Sequence, residues 1–396
     1  MKILHVVPSY YPAFRFGGPI QAIHNINKAI VKKGHTLDVL TTNAGIDKQN
    51  KVVLNKWIEL DGLKVMYKSF LGYEHYNFSI PLTIEVFRLV KNYDVIHITA
   101  VWNYPVLVTS LASIFHHKPY IISPRGELMQ EALIMRSTKK KYFYYSFLSK
   151  HYLKRASAIH LTSEIEKEDI ANKLKYNVKY LIVPNGIELA EYERPSEKTY
   201  KLKNPFLANK RYILFLGRLD QQKGIDILIQ AFSEIIKMHS DIFLVLAGPD
   251  SKNYRNELEQ LIQKLNLSNK VIFTGLINDA EKLGVLFNAE LFVLPSRFEN
   301  FANVVLEAMA CDIPVIVSKK VALASDINKY DAGIVTEADP IRISKEIIGL
   351  IDNTELKEKL VRNSKRMLMD FSIDSVANRM IEVYKEIISS FSDMRK

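Results

Sequence analysis

Short runs of aliphatic and β-branched residues alternate with stretches of helical period along nearly the whole of this chain, and that alternation limits its fold more than any other feature. It is the rhythm of βαβ units and parallel sheets. In the first half it places strands at Ile3–Val7, Thr36–Thr41, Val65–Tyr67, Val95–Thr99, Tyr120–Ser123, Ala158–Leu161 and Tyr180–Val183. A helix over Pro19–Lys33 starts with a proline suited to a first turn and stops at Gly34. After a polar, Pro-containing segment at 191–198 the pattern restarts with Tyr212–Leu216. Phe243–Ala247, Val271–Thr274, Leu291–Leu294, Pro314–Val317 and Gly333–Val335 then follow. The expectation is an α/β protein of two doubly wound, Rossmann-like domains, 1–200 and 205–370, with a last helix within 371–396 packing back on the first. Ligands of such domains bind beyond the carboxyl ends of the strands, here in a cleft expected between the two sheets. A length of 396 residues and 48% hydrophobic content suit two such cores.

Charge and cysteine content narrow the function. One cysteine, Cys311, excludes an intrachain disulfide framework and a Cys-rich zinc module. Residues 1–200 carry 27 Lys and Arg against 17 Asp and Glu, and the remainder 27 against 26. The first domain is thus expected to face an anionic partner. Between Ala132 and Ser163 there is no acidic residue. Lys139, Lys140 and Lys141 are interleaved there with Tyr144, Tyr145 and other aromatics, as in a basic helix lying on an anionic membrane surface. A core helix with a solvated basic side is the alternative, and no nucleic-acid module accompanies the stretch. The N-terminal apolar run is too short for a signal peptide, and polar residues interrupt the uncharged stretch from Val95 to His117 too often for a membrane span. The expected location is cytoplasmic, at the inner face of the plasma membrane. The histidines lack metal-ligand spacing and there is no Asp-x-Asp, so no metal and no cofactor are expected.

Three constellations carry chemistry. In Pro295–Ala310 a strand ends, a loop carries Glu299 with Asn300, Phe301, Ala302 and Asn303, and a helix carries Glu307. Two carboxylates beside the amides of a helix N-terminus suit the hydroxyls of a sugar or ribose next to a phosphate. The alternative is a capping acid and a surface glutamate. After the strand Tyr212–Leu216, Gly217 allows a tight exit, and Arg218 and Lys223 offer a guanidinium fork and a point charge, a pair suited to a diphosphate. Gly17 and Gly18 follow the first strand, either as a plain turn or as a ligand loop. There is no G-x-G-x-x-G there, which disfavours a nicotinamide-dependent oxidoreductase.

Taken in order, Gly17-Gly18, Pro184-Asn185-Gly186-Ile187, Gly217-Arg218-x4-Lys223-Gly224 and Glu299-x7-Glu307 with Ala308-Met309-Ala310 resemble the retaining GT-B glycosyltransferases of family 4 over nearly the whole chain. The resemblance implies that a nucleotide-sugar donor, UDP- or GDP-linked, is held mainly by the second domain. Arg218 and Lys223 would hold its diphosphate and Glu299 its sugar hydroxyls, near the amides of Asn300–Asn303. Glu307 would bind the ribose, the Gly275-Leu276 segment the base, and Gly18 the diphosphate from the first domain. It implies a glycan or lipid-linked acceptor on the first domain, retention of configuration and no separate general base. Relatives often have Gly where Asn300 and Ala302 stand; the amides of these residues can still approach a phosphate if φ stays negative. Arg125, followed by Gly126, stands after the strand Tyr120–Ser123, where many relatives have a His near the donor sugar. Arg125 either contacts sugar or acceptor phosphate or is an ordinary paired residue. His97 and Trp102 are further acceptor-side candidates, core packing being the alternative for His97. Competing readings are a soluble disaccharide synthase, a sugar-nucleotide epimerase and a non-catalytic binding partner.

Overall fold

The protein is described from a computed structural model, which covers residues 1–13, 17–46, 52–130, 144, 148–174, 178–194, 205–207, 210–251 and 253–393. Lys139, Lys140, Lys141 and Tyr145 of the basic stretch lie outside these residues. The chain divides into two compact units, one of 1–186 with 373–396 and one of 187–372.

The first unit is built on a sheet of β1 (Lys2–Ser9), β2 (Thr36–Thr42), β3 (Trp57–Leu60), β4 (Leu63–Lys68), β5 (Val95–Thr99), β6 (Tyr120–Ser123), β7 (Ala158–Leu161) and β8 (Tyr180–Ile182). Its spatial order is β3-β4-β2-β1-β5-β6-β7-β8, parallel except for β3. The central strand β1 is closed off on both faces, with Ile3, Leu4, Val6 and Val7 buried, so it reads as an unbroken apolar run. Strand β3, absent from the expected set, hairpins onto β4 through Asp61-Gly62, both in the left-handed region. That is the Asp-Gly turn whose twist suits a two-residue hairpin.

The helix Gly18–Lys32 has Pro19 in its first turn. One core face of the sheet is shared with the helix Ile373–Asp393, through Val376, Ala377, Met380, Tyr384 and Ile387. Gly186 sits against the start of this helix: a Cβ there would stand 2.8 Å from Ile373 Cδ1 and 2.9 Å from its Cα. The chain enters the second unit at Ile187, whose N–H donates to the Phe371 carbonyl at 2.9 Å. The division therefore falls before the polar segment at 191–198, because Leu189 and Tyr192 already pack on the second core.

The second unit holds β9 (Arg211–Leu216), β10 (Ile242–Ala247), β11 (Val271–Gly275), β12 (Leu291–Leu294), β13 (Val315–Ser318) and β14 (Ile334–Thr336). All are parallel, in the order β11-β10-β9-β12-β13-β14. This is the doubly wound arrangement in which the order reverses between the first and fourth strands, here β9 and β12. In the first unit the same reversal lies between β1 and β5.

Gly186→Ala is expected to cost about 1–3 kcal/mol, the scale of overpacking a closed contact. Both tryptophans, Trp57 and Trp102, belong to the first unit, so urea unfolding followed by their fluorescence reads this loss directly. An unchanged midpoint would show that the helix moves aside freely.

Candidate active site

In the second unit the crevice of a doubly wound sheet opens between the loops that follow β9 and β12, and two of the expected constellations are these loops. Gly224 closes them together. It adopts φ +67°, and a Cβ on it would stand 2.2 Å from the Pro295 carbonyl oxygen at the end of β12. Only glycine fits both the conformation and the space. The contact is stitched further by the Arg297 N–H donating to the Gln222 carbonyl at 2.8 Å and Gln222 Nε2 donating to the Phe298 carbonyl at 3.1 Å. The Arg297 guanidinium grips the Asp226 carboxylate with two bonds of 2.7 and 2.6 Å. Asp226 and Gln222 were not foreseen from the sequence, since their partners lie more than 70 positions away.

With the loops held so, the Lys223 ammonium and the Glu299 carboxylate form an ion pair, both side chains largely shielded from solvent. Glu299 is tied through its backbone to the loop after β13: its N–H donates to the Lys320 carbonyl and its carbonyl accepts from Ala322, each at 3.1 Å. Arg218 is exposed and makes no ion pair among the described residues. Glu307, on the helix Asn303–Ala310, pairs with Lys282 at 3.3 Å. Burial, then the Glu307 charge, pushes the Tyr192 hydroxyl above its ordinary pKa. Lys282 and Tyr192 are further residues the sequence did not single out. Ala302 caps this helix at φ +70°, so the condition of a negative φ is not met there. Ala302 accepts the strain of a left-handed residue instead, placing Val305 N–H on its carbonyl at 2.9 Å. The Phe301 side chain is buried in the core, leaving only its amide for a ligand. Asn300 and Asn303 are half-buried beside it. At the end of the edge strand β11, Gly275 is left-handed, and Leu276, just after it, is exposed by 78%. Gly217 leaves β9 in the same sheet edge.

In the first unit, Gly17 (φ +84°) and Gly18 begin the helix after β1 and are exposed. His97 is buried, and both its ring nitrogens are engaged, Nδ1 with the Tyr384 hydroxyl at 2.6 Å and Nε2 with Ser123 Oγ at 2.9 Å. It offers no free nitrogen to a ligand. His160 completes the chain, with Nδ1 2.5 Å from Ser123 Oγ and Nε2 2.9 Å from the Val183 carbonyl. His5 stacks on His97 with ring centroids 4.3 Å apart and bonds to Asn27 and Thr99 at 2.9 Å each. Burial lowers His5 to about 4 and His160 to about 3, and takes His97 well below its ordinary value. Beside these neutral rings stands Arg125 (φ +53°), whose Nη1 donates to Asn185 Oδ1 at 2.5 Å. Gly126 N–H donates to Glu166 at 2.6 Å, and Trp102 Nε1 donates to the Glu127 carbonyl at 3.2 Å. Tyr144 is half-buried, edge-on to Tyr76 and Trp102 at 6.1 and 6.2 Å, in an aromatic cluster.

Comparison with known proteins decides the family. Two family models match in sequence, Glycosyltransferase Family 4 over residues 16–191 and Glycosyl transferases group 1 over 196–367. The chain belongs to the glycosyltransferases of the GT-B fold. It is 27% identical to an uncharacterized glycosyltransferase of Methanocaldococcus jannaschii, covering 97% of this chain and 98% of that protein. It is 23% identical to the alpha-monoglucosyldiacylglycerol synthase of Streptococcus pneumoniae, over 98% of this chain and 87% of that one. The crystal structure of Anabaena HepE in complex with UDP and glucose has the same fold, with a TM-score of 0.75 at 20% identity over 98% of this chain and all of that one. Among the described residues of this glycosyltransferase, no three or more His, Cys, Asp or Glu side chains group so as to hold a metal ion. No helix among them is long and apolar enough to cross a membrane.

Two outcomes follow from this geometry. Gly224→Ala should destabilise the glycosyltransferase by about 2–4 kcal/mol, combining left-handed strain with overpacking. Gly62→Ala, equally left-handed but with open space around it, should cost only about 1 kcal/mol, both variants being unfolded in urea and followed by far-ultraviolet circular dichroism, which reads both units. Equal losses would show that the Pro295 contact does not matter. The second outcome concerns pH. An unfolded chain protonates its histidines below about pH 6.5, whereas the native rings stay neutral until near pH 4. Stability from the three imidazoles is therefore complete above about pH 6.5 and falls as pH drops toward 4, by about 1.4 kcal/mol per unit for each. Glu166, whose buried carboxyl is pushed up, opposes this as one group against three. Urea midpoints read by tryptophan fluorescence should fall between about pH 7 and pH 5. A flat profile would mean that the rings are already charged in the native protein.

Proposed function

We propose that this glycosyltransferase is a retaining, metal-independent family 4 enzyme. It moves a sugar from a UDP- or GDP-linked donor to a lipid-linked glycan acceptor in the synthesis of cell-surface polysaccharide. The observation that carries the reading is the Lys223–Glu299 pair at the strand-order reversal of the second unit, with the exposed Arg218 on the same loop. The resting pair keeps an ammonium and a carboxylate in place without leaving either uncompensated. A bound donor exchanges the partners: its diphosphate takes the ammonium, and its sugar hydroxyls donate to the carboxylate. Arg218 adds a bidentate fork to the phosphates, and the helix N-terminus at Asn303 adds its amides. As the bond between the anomeric carbon and the phosphate oxygen breaks, the charge gathering on the nucleotide is met by groups already oriented toward it. The acceptor hydroxyl attacks from the same face and gives its proton to a phosphate oxygen of the leaving group. Glu307 binds the ribose hydroxyls, and Gly275-Leu276 borders the base.

The acceptor belongs to the first unit in this reading, and a lipid-linked acceptor agrees with the likeness to a diacylglycerol-modifying synthase. Two helices of that unit, Ile80–Leu89 and Tyr104–Phe115, leave the apolar side chains Ile84, Leu111 and Phe115 exposed. Together with the basic, aromatic sequence around Lys139–Lys141, they support work at the anionic inner face of the plasma membrane.

Purified protein is incubated with UDP-, GDP- and ADP-sugars separately, and free nucleotide is measured. Slow release from one UDP- or GDP-linked donor is expected, reduced by about 10²–10³ in Lys223→Ala and Glu299→Ala, the scale for removing one preorganised charge partner. Release that survives both substitutions would refute the site, and absence of saturable binding by any donor would favour a non-catalytic partner.

A further inference from the structure

Among the described residues of the first unit, Arg125 is a cation without a direct counter-charge. Its Nε is buried and has no hydrogen-bond partner, and no carboxylate among the described residues lies within ion-pair distance of it. Its Nη1 donates to the neutral amide oxygen of Asn185. The surrounding imidazoles have nothing to offer. His160 Nε2–H donates to a backbone carbonyl, so its Nδ1 accepts from Ser123, whose oxygen accepts from His97 Nε2–H, and His97 Nδ1 accepts from Tyr384. His5 is spent on Asn27 and Thr99 in the same way. Glu166 acts on Arg125 through its charge without an ion-pair contact, and Gly126 N–H occupies one of its oxygens and the Thr162 N–H and hydroxyl the other. The buried Nε–H thus has no acceptor, and among the described residues the guanidinium meets only a neutral one, at Nη1.

The loop that presents this guanidinium is fixed. Arg125 and Gly126 are both left-handed, Gly126 is held by Glu166, and the Glu127 carboxylate accepts from Val101 N–H at 2.7 Å. Holding a non-glycine residue in that region costs energy, and such strain collects at ligand sites. The loop leaves the carboxyl end of β6, the edge where a doubly wound sheet takes its ligands, and the side chain is only partly covered.

We propose that the Arg125 guanidinium is the receptor for an anionic oxygen group, a phosphate or a carboxylate, carried by the sugar substrate of the first unit. This rests on the glycosyltransferase reading above and adds to it that the substrate is charged at this point. An oxyanion supplies the missing counter-charge and fits the planar fork with two parallel bonds.

The test uses the full chain labelled with 15N at arginine Nε. The Arg125 resonance is identified by its loss in Arg125→Lys or, if that variant does not fold, in Arg125→Gln. Inorganic phosphate and acetate are titrated separately at constant ionic strength with chloride as the balancing ion. A saturable shift of the Arg125 Nε–H is expected with one of them, at a dissociation constant on the order of 10 mM for a single fork. A shift with phosphate alone assigns a phosphate-bearing substrate, and with acetate alone a carboxylate-bearing one. No saturable shift with either anion up to roughly 100 mM overturns the proposal. UDP and GDP, titrated in parallel and read at the Arg218 resonance, separate the two readings. Nucleotide binding with a silent Arg125 overturns only the anion site, whereas failure of both nucleotides removes the donor site.

Discussion

The Pro295 carbonyl at the end of β12 comes so close to Gly224 that no side chain fits between them, and the geometry of the second unit's crevice depends on that approach. It draws the loop after β9 onto the loop after β12, so Lys223 and Glu299 meet although 76 positions separate them. The bidentate grip of Arg297 on Asp226 and the Gln222 bonds hold the same seam from both sides. A charge pair shielded from water is costly to form unless its geometry is fixed in advance. Here the backbone fixes it.

The two units share a strand order but treat charge differently. The second unit meets its prospective ligand with paired ions at the sheet edge. The first buries a network of neutral imidazoles, hydroxyls and amides beneath one arginine, and ties the C-terminal helix into it through Tyr384. Neutral rings are bought at the cost of acid sensitivity, since each must stay unprotonated to keep its bonds. The same fold thus carries a Lys–Glu ion pair at one sheet edge and, at the other, an arginine with no carboxylate within ion-pair distance among the described residues.

Most of the fold was legible because parallel strands covered on both faces leave continuous apolar runs, and those runs are local. Strand β3 was missed because Trp57–Leu60 is a short, half-exposed edge with Glu59 in it, although Asp61-Gly62 is a hairpin signal. The boundary was placed too late because polarity at 191–198 was read as a linker, whereas the crossing is set by the Ile187 bond to Phe371. Within the site, Lys223, Glu299, Arg218 and Glu307 stood out by their places at strand ends and helix starts. Asp226 and Lys282 did not, because a charge on a helix looks the same whether it meets solvent or a distant loop. Nor could sequence tell that Ala302 would take a glycine-like conformation, or that His5, His97 and His160 would converge from three strands.

The most direct test of the account is equilibrium titration of the intact chain with a nucleoside, its monophosphate and its diphosphate, using uridine and guanosine series. The account predicts that in one series the diphosphate binds at least about tenfold tighter than the monophosphate, an increment of about 1.4 kcal/mol. It further predicts that this increment disappears in Arg218→Ala and Lys223→Ala. Equal affinity for monophosphate and diphosphate in both series, or an increment that survives both substitutions, would contradict it.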